Sequence, residues 1–349
     1  MPTQAIGWGV ETPEEELHPI HFERRDLRDH DVAIRITYSG ICHSDLHQCR
    51  NDWHNSQYPV VPGHEIVGEV TAVGRAVTDF AVGDTVAVGT VVDSCLECSE
   101  CQAGWEQFCL KGSTFTYNGK DKQDGTITKG GYSDHIVTRD HFVFKLPDGL
   151  DPSKAAPLLC AGITTFSPLN QHGIGADHKV AVVGLGGLGH MGVKFAVAMG
   201  AHVTVISTSP EKAADAQRLG AHDVLISKDP AAMAGAMGRF DFILDTVPVA
   251  HDLNPYLMLL KRGGKMVLVG AIEPLPPVHG GALIMGNKAL GGSGVGGVPE
   301  TVQMLDFCAA HDVLPDVEMI AMKDVNTAFD RMEKGDVRYR FVIDMAHGL

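Results

Sequence analysis

The sequence predicts an α/β protein built from a β-rich domain and a doubly wound domain with a parallel sheet. Three observations carry this. The first ~150 residues hold short β-branched runs bounded by glycine. After Pro157, apolar strands alternate with helix-forming stretches. Between the first such strand and its helix lies the glycine-rich turn Gly184-Leu185-Gly186-Gly187-Leu188-Gly189.

In the first part, Val32–Tyr38, Glu65–Val73 and Asp84–Val88 read as strands, and their spacing suggests a small barrel or sandwich-like domain. In the second, Lys179–Val183 is a strand and the stretch to Met199 a helix. Val203–Ile206 is the next strand. Pro210–Leu219 has good helix formers, with Ser209 as expected N-cap and Gly220 as stop. Val224–Ile226, Phe240–Leu244 and Lys265–Val269 read as further strands. Beyond Pro299 the pattern is mixed, with a helical stretch Thr301–Ala310 and a final apolar run Tyr339–Ile343.

The 349 residues suit two domains. With 28 basic and 43 acidic residues the formal charge is −15, which gives no electrostatic reason to bind a phosphate backbone. Nucleic acid is therefore not an expected partner. The start MPTQAIGWGVETPEEE has no basic segment followed by an apolar one. The most apolar region, Val180–Ile206, is broken by Lys194 and a run of glycines, so no membrane helix is expected. Eight cysteines without an export signal point to thiolate or metal chemistry in a reducing, cytoplasmic setting.

Each glycine of the turn has its own use. Gly184 permits the tight turn, Gly186 lets the backbone approach a pyrophosphate, and Gly189 allows close helix–strand packing; Gly187 and Leu188 lie between. The helix N-terminus then offers unpaired N–H groups to phosphate. An NAD site places Asp or Glu about 20 residues further on, to hold the ribose 2′-hydroxyl. Here the position reads Ser207-Thr208-Ser209, with Lys212 beyond. Hydroxyls and a cation suit a 2′-phosphate, so the expected cofactor is NADP(H).

Cys95, Cys98, Cys101 and Cys109 form a C-x2-C-x2-C-x7-C cluster that matches a closed tetrahedral zinc site of structural type. A ferredoxin-type run would continue Cys-Pro, whereas Cys109 precedes Leu110. A second group is more dispersed: Cys42, His64 and Cys160. Its spacing does not separate a metal site from ordinary buried thiols. Its neighbours add weight, because Cys42-His43-Ser44-Asp45-Leu46-His47 and Gly63-His64-Glu65 concentrate thiol, hydroxyl, carboxylate and imidazole. Two Cys and one His would leave a fourth zinc position open for catalysis.

At these residues the chain resembles the zinc-dependent medium-chain alcohol dehydrogenases, and within them the cinnamyl alcohol dehydrogenase and NADP-dependent aldehyde reductase branch. The resemblance spans Gly63-His64-Glu65 with Gly68, Gly74 and Val77, the four-Cys lobe, and Pro157–Thr164. It continues through Gly184–Gly192, Ser207–Lys212 and the ending Val337-Arg338-Tyr339-Arg340-Phe341-Val342. It implies a GroES-like catalytic domain of residues 1–157 and 297–349, with a zinc lobe at 95–109, and a Rossmann cofactor domain of residues 158–296.

It also implies roles. Cys42, His64 and Cys160 would be catalytic zinc ligands, with Glu65 beside the metal and Asp45 orienting His64. Ser44 would hydrogen-bond the substrate oxygen, and His47 would relay the proton. Thr164 would lie near the nicotinamide, and His43 and Arg340 near the cofactor phosphates or ribose. Two zinc ions, NADP(H), a homodimer paired through Ala289–Ser293, and reversible hydride transfer to aldehydes would follow. The branch places an indole where Phe115 stands and often a larger side chain at Val295, so a broad aldehyde and alcohol range is expected rather than a dedicated cinnamyl one. Trp53 is a further pocket candidate.

Overall fold

The computed structural model describes residues 3–270 and 273–347. It divides into two units, Met1–Cys160 with Gly296–Leu349, and Ala161–Val295. Cys160, placed by the sequence beyond the first boundary, thus belongs to the first unit.

The second unit contains six parallel strands: Lys179–Val183, His202–Ser207, Asp223–Ile226, Phe240–Asp245, Leu260–Leu268 and Ala289–Gly292. Their spatial order is third, second, first, fourth, fifth, sixth. This is a doubly wound sheet, whose chain direction switches between the first and fourth strands. Val180, Ala181 and Val182 are fully buried, as a sheet covered on both faces requires. At the switch point the Thr246 hydroxyl donates to the Val183 carbonyl at 2.8 Å, which ties the two strand ends together.

Two local expectations need correction. The fifth strand begins at Leu260 rather than Lys265, with a register shift opposite Phe240 and Phe242. Gly263, at φ +79°, adopts a backbone conformation that would strain other residues, so the strand runs on past it. Ser209 occupies the N-cap position but its side chain caps nothing. The Ser207 hydroxyl instead accepts from Ser209 N–H at 3.1 Å, just before the helix. The helix then opens with a tight 3-10 turn, Pro210–Lys212, before Ala213–Arg218.

The first unit is built on a seven-stranded sheet. Its path runs Val317–Ala321, Arg340–Asp344, Asp31–Gly40, Ile66–Val73, Thr85–Val88, Val143–Lys145, and His135–Arg139 also pairs with Asp31–Gly40. The hairpin Thr3–Gly9 with His18–Arg24 and the pair Val91–Asp93 with Thr114–Phe115 complete it. The terminal strand answers where the chain's end belongs: Val342 lies opposite Gly40, antiparallel to the first long strand. The helix Val298–His311 ends at Asp312 in the left-handed region, φ 52°. Among the described residues no helix is long and apolar enough to cross a membrane.

Candidate active site

The site begins with a short helix, His43–Cys49, capped at its N-terminus by Cys42. The third helical residue, Asp45, folds back so that its Oδ2 accepts from Cys42 N–H at 2.9 Å. This turns Asp45 fully inward and leaves His43 exposed. The same carboxylate receives Gly63 N–H at 3.0 Å and His64 Nδ1 at 3.1 Å on Oδ1, and the Tyr132 hydroxyl at 3.2 Å on Oδ2. With Nδ1 donating to Asp45, the imidazole lone pair falls on Nε2. Gly63 holds φ +102°, a conformation open to glycine, and this positions the following histidine.

Cys42, His64, Glu65 and Cys160 each bring one donor atom to within 4.8 Å of all the others. The Cys42 and Cys160 sulfurs lie 3.9 Å apart. A tetrahedral site with Zn–S bonds of about 2.3 Å has S···S edges of about 3.8 Å, so the sulfurs stand at the right separation to share one ion. Hydrogen bonding from Cys160 pulls the Cys42 thiol well below its usual value, while the same contact raises Cys160. Burial opposes charge on His64, but Asp45 outweighs it. Burial pushes the Glu65 carboxyl up to about 7, against the pull of Arg340. Among the described residues, Glu65 Oε2 is buried without a hydrogen-bond partner. A soft divalent cation held by thiolate and imidazole fits this donor set.

The four cysteines of the lobe also meet within 4.8 Å. Cys95 and Cys101 sulfurs are 3.9 Å apart, and Cys98 and Cys101 3.5 Å. Backbone N–H groups point at the sulfurs: Cys98 N–H donates to Cys95, and Leu110 N–H to Cys98, each at 3.4 Å. Backbone donors lower the Cys98 thiol to about 6, while burial pushes the Cys101 thiol up to about 12. The remaining thiols, Cys49 and Cys308, are buried, and burial raises both.

Around the helix, His47 Nδ1 pairs with Asp52 Oδ2 at 2.7 Å, and its ring lies 5.7 Å from Trp53. Ser44 is half-buried. Phe115 is about half exposed, at 49%. Arg340 is buried and its Nη2 donates to Glu65 Oε1.

In the second unit the glycine turn leads into the helix Gly189–Ala198. Gly184 sits at φ +88°, and a side chain at Gly189 would strike the Gly184 carbonyl. A Cβ at Gly186 would meet nothing within 4 Å, so this backbone is open to a ligand. Lys212 reaches back to the turn, where its Nζ donates to the Leu185 carbonyl at 3.0 Å. Ser207 is buried and Thr208 exposed. Thr164 is buried in the helix Ala161–Gln171. Sequence reading missed the Glu65–Arg340 pair, the Asp52 partner of His47 and the Tyr132 contact. Only Asp52, five residues from His47, carried a local signal.

Residues 28–148 match the family described as the alcohol dehydrogenase GroES-like domain, and residues 187–310 the zinc-binding dehydrogenase family. A probable mannitol dehydrogenase of Medicago sativa is 50% identical over 99% of this chain and 96% of its own length. The structure of a cinnamyl alcohol dehydrogenase from Sorghum bicolor superposes with a TM-score of 0.96 at 48% identity, covering 99% of both chains. That of the Helicobacter pylori enzyme named CAD, complexed with NADP(H), does so with a TM-score of 0.94 at 39% identity over 100% of both. Matched along its whole length in sequence and in fold, the chain belongs to the zinc-binding, medium-chain alcohol dehydrogenase family of oxidoreductases.

Proposed function

We propose that the protein is a zinc- and NADP(H)-dependent alcohol dehydrogenase and aldehyde reductase, moving hydride reversibly between NADPH and a broad range of aliphatic, benzylic and cinnamyl-type aldehydes. The convergence of Cys42, His64 and Cys160 on one point, with the Asp45 carboxylate behind the imidazole, carries this reading. These three residues would hold a catalytic zinc, with Glu65 beside it, and Cys95, Cys98, Cys101 and Cys109 a structural one. Zinc so bound supplies Lewis acidity toward a carbonyl oxygen, and NADPH supplies the hydride.

The chain's own residues do the rest. Ser44 hydrogen-bonds the substrate oxygen and delivers or accepts its proton. His47, steadied by Asp52, exchanges that proton with solvent. Asp45 fixes the His64 ring, as carboxylates commonly do for metal-bound histidines. Gly184, Gly186 and Gly189 cradle the pyrophosphate. Ser207, Thr208, Ser209 and Lys212 hold the 2′-phosphate; at Ser207–Ser209, where an NAD site places a carboxylate, there is none. Thr164, His43 and Arg340 complete the cofactor contacts. The exposed edge strand Ala289–Gly292 would pair two copies into a homodimer. All eight cysteines are free, which accords with a cytoplasmic setting.

The mannitol dehydrogenase relative keeps a polyol reading open, and the sorghum structure a dedicated cinnamyl one. The test is metal analysis with a paired activity screen. Two zinc ions per chain and NADPH-dependent reduction of several aldehyde classes are expected, with Ser207→Asp shifting preference toward NADH. One ion per chain, or mannitol oxidation with NAD alone, would overturn the reading.

A further inference from the structure

Tyr132 is among the largest fully buried side chains. Its backbone is stitched to the loop that carries His64. Tyr132 N–H donates to the Pro62 carbonyl at 2.9 Å, and Gly131 N–H to the Gly63 carbonyl at 2.8 Å. The ring packs against the same loop, since a Cβ at Gly63 would lie 2.7 Å from Tyr132 Cδ1. The tyrosine's own segment is locked in turn. The buried Arg24 guanidinium donates to the carbonyls of His135 and Gly130, each at 2.9 Å, and to the Ser133 hydroxyl at 2.8 Å.

The hydroxyl's target is the Asp45 carboxylate, 3.2 Å away. A carboxylate offers about four lone-pair sites. Asp45 fills them with Cys42 N–H and the Tyr132 hydroxyl on one oxygen, and Gly63 N–H and His64 Nδ1 on the other. Those donors set the rotation of the carboxylate, and the carboxylate sets the His64 ring. The hydroxyl is the only one of these four donors that belongs neither to the metal-site helix nor to the His64 loop.

We propose that Tyr132 is a positioning residue for the metal site: through Asp45 it fixes the angle at which His64 presents Nε2. The inference rests on the reading of Cys42, His64 and Cys160 as zinc ligands. If that reading holds, losing the hydroxyl alone loosens the ion, because residues behind a metal-bound histidine typically govern affinity by about 10–100-fold. A tyrosine serving only as core filler would give up stability and leave the ion untouched.

The experiment compares Tyr132→Phe with Tyr58→Phe in the full-length enzyme. Tyr58 also donates its hydroxyl, but to the backbone carbonyl of Cys49 at 2.8 Å rather than to Asp45. Zinc affinity is read by competition with a chromophoric chelator, and ligand geometry by the visible bands of the cobalt(II)-substituted protein. Tyr132→Phe is expected to weaken zinc at one of the two sites about tenfold and to move the cobalt bands, while Tyr58→Phe does neither. In an Asp45→Asn background, Tyr132→Phe should weaken zinc no further. Wild-type affinity and an unmoved cobalt spectrum in Tyr132→Phe, or additive losses in the double variant, would overturn the proposal. Should Tyr132→Phe not fold, 3-fluorotyrosine placed at 132 keeps the ring and strengthens the donor; shifted cobalt bands support the role and unmoved ones refute it. A wild-type enzyme that binds no second ion removes the zinc reading itself, an outcome distinct from a normal site in Tyr132→Phe.

Discussion

Arg340, in the last strand, is buried against Glu65, at the start of the strand Ile66–Val73, although 275 positions separate them. Neither the Glu65 Oε2 nor the Arg340 Nε has another hydrogen-bond partner among the described residues. A side chain at Gly40 would collide with the Glu65 carboxylate, so glycine there makes room for the pair. The C-terminal strand therefore does more than finish the sheet: it delivers the cation that holds a buried acid beside the donor cluster.

Removing that cation should be costly. Breaking a buried ion pair from one side costs roughly 3–5 kcal/mol. Glu65 already sits at about 7, so it can neutralise itself by taking a proton, which favours the low end of that range. Arg340→Ala is expected to lower the unfolding midpoint clearly, and Glu65→Gln with Arg340→Met to recover most of it. An unchanged midpoint in Arg340→Ala would contradict the pairing.

A second long-range link runs from the four-Cys lobe to a helix. Glu106 is buried, and its Oε2 accepts from Val298 N–H at 2.9 Å, in the first turn of Val298–His311. Burial raises its carboxyl, but His141 and that N–H outweigh it and leave it below the usual value. Such a carboxylate cap is worth about 0.5–2 kcal/mol. Glu106→Ala should speed hydrogen exchange in the turn after Val298. If the lobe holds the proposed zinc, chelating it in the wild type should speed the same amides, because the lobe then no longer holds Glu106 in place. Faster exchange confined to Cys95–Cys109 after chelation would show the two to be independent.

These links explain what could be read from the chain and what could not. The glycine turn and the four cysteines are local: neighbouring residues carry the chemistry, so spacing is enough to suggest it. The strand-and-helix alternation of the second unit is equally local, and its six parallel strands follow it. Residues 42, 64 and 340 come together through the sheet register, which sets Val342 opposite Gly40 and Ile66 beside Ser39, and Cys160 joins them from the end of the 3-10 turn Ala156–Leu159. No periodicity encodes that register; the neighbours of Cys42 and His64 suggested the grouping, and the family resemblance gave it roles. Ser209 failed as a cap for a different reason. There the Lys212 N–H bonds the Ser209 backbone carbonyl at 3.3 Å in a 3-10 turn, and the serine side chain caps nothing.

Acid sensitivity should arise in the polar cluster that pins the segment Asp121–Thr126. Arg25 pairs with Asp31 and, at 3.3 Å, with Asp121; Arg28 reaches Asp121 at 2.9 Å and Asp124 at 2.6 Å. Burial raises the Asp121 carboxyl, but Arg28 and two backbone N–H groups outweigh it and hold it low. The Thr126 hydroxyl lowers Asp124. For a carboxyl depressed in the fold, the unfolded chain binds more protons, so stability rises with pH across the gap. The contribution is complete above the ordinary carboxylate value of about 3.9 and fades as pH falls below it. Thermal unfolding from pH 7 to 3 should show Asp121→Asn less stable at neutral pH, with the difference from wild type shrinking in acid. A difference that stays constant with pH would place the stabilisation elsewhere.

The His47–Asp52 pair allows the proposed proton role to be tested apart from the proposed metal site. His47 lies 2.7 Å from its carboxylate, and its side chain is 39% exposed, while the donor cluster behind the helix is largely buried. A group that only passes protons should affect rate and leave the ion in place. A positioned acid or base contributes about 10²–10⁴-fold. His47→Ala should therefore lose about a hundredfold in turnover while retaining its full zinc content, and Asp52→Asn should lose less, since it removes the imidazole's partner and not the imidazole. Cys42→Ala should lose one ion per chain and far more activity, because the donor set itself is broken. The losses also differ in kind: solvent isotope effects should change in His47→Ala, where proton transfer becomes slower, whereas Cys42→Ala should be restored by no proton donor. Equal losses in both variants, or zinc lost from His47→Ala, would mean that this histidine serves the metal site and not the proton.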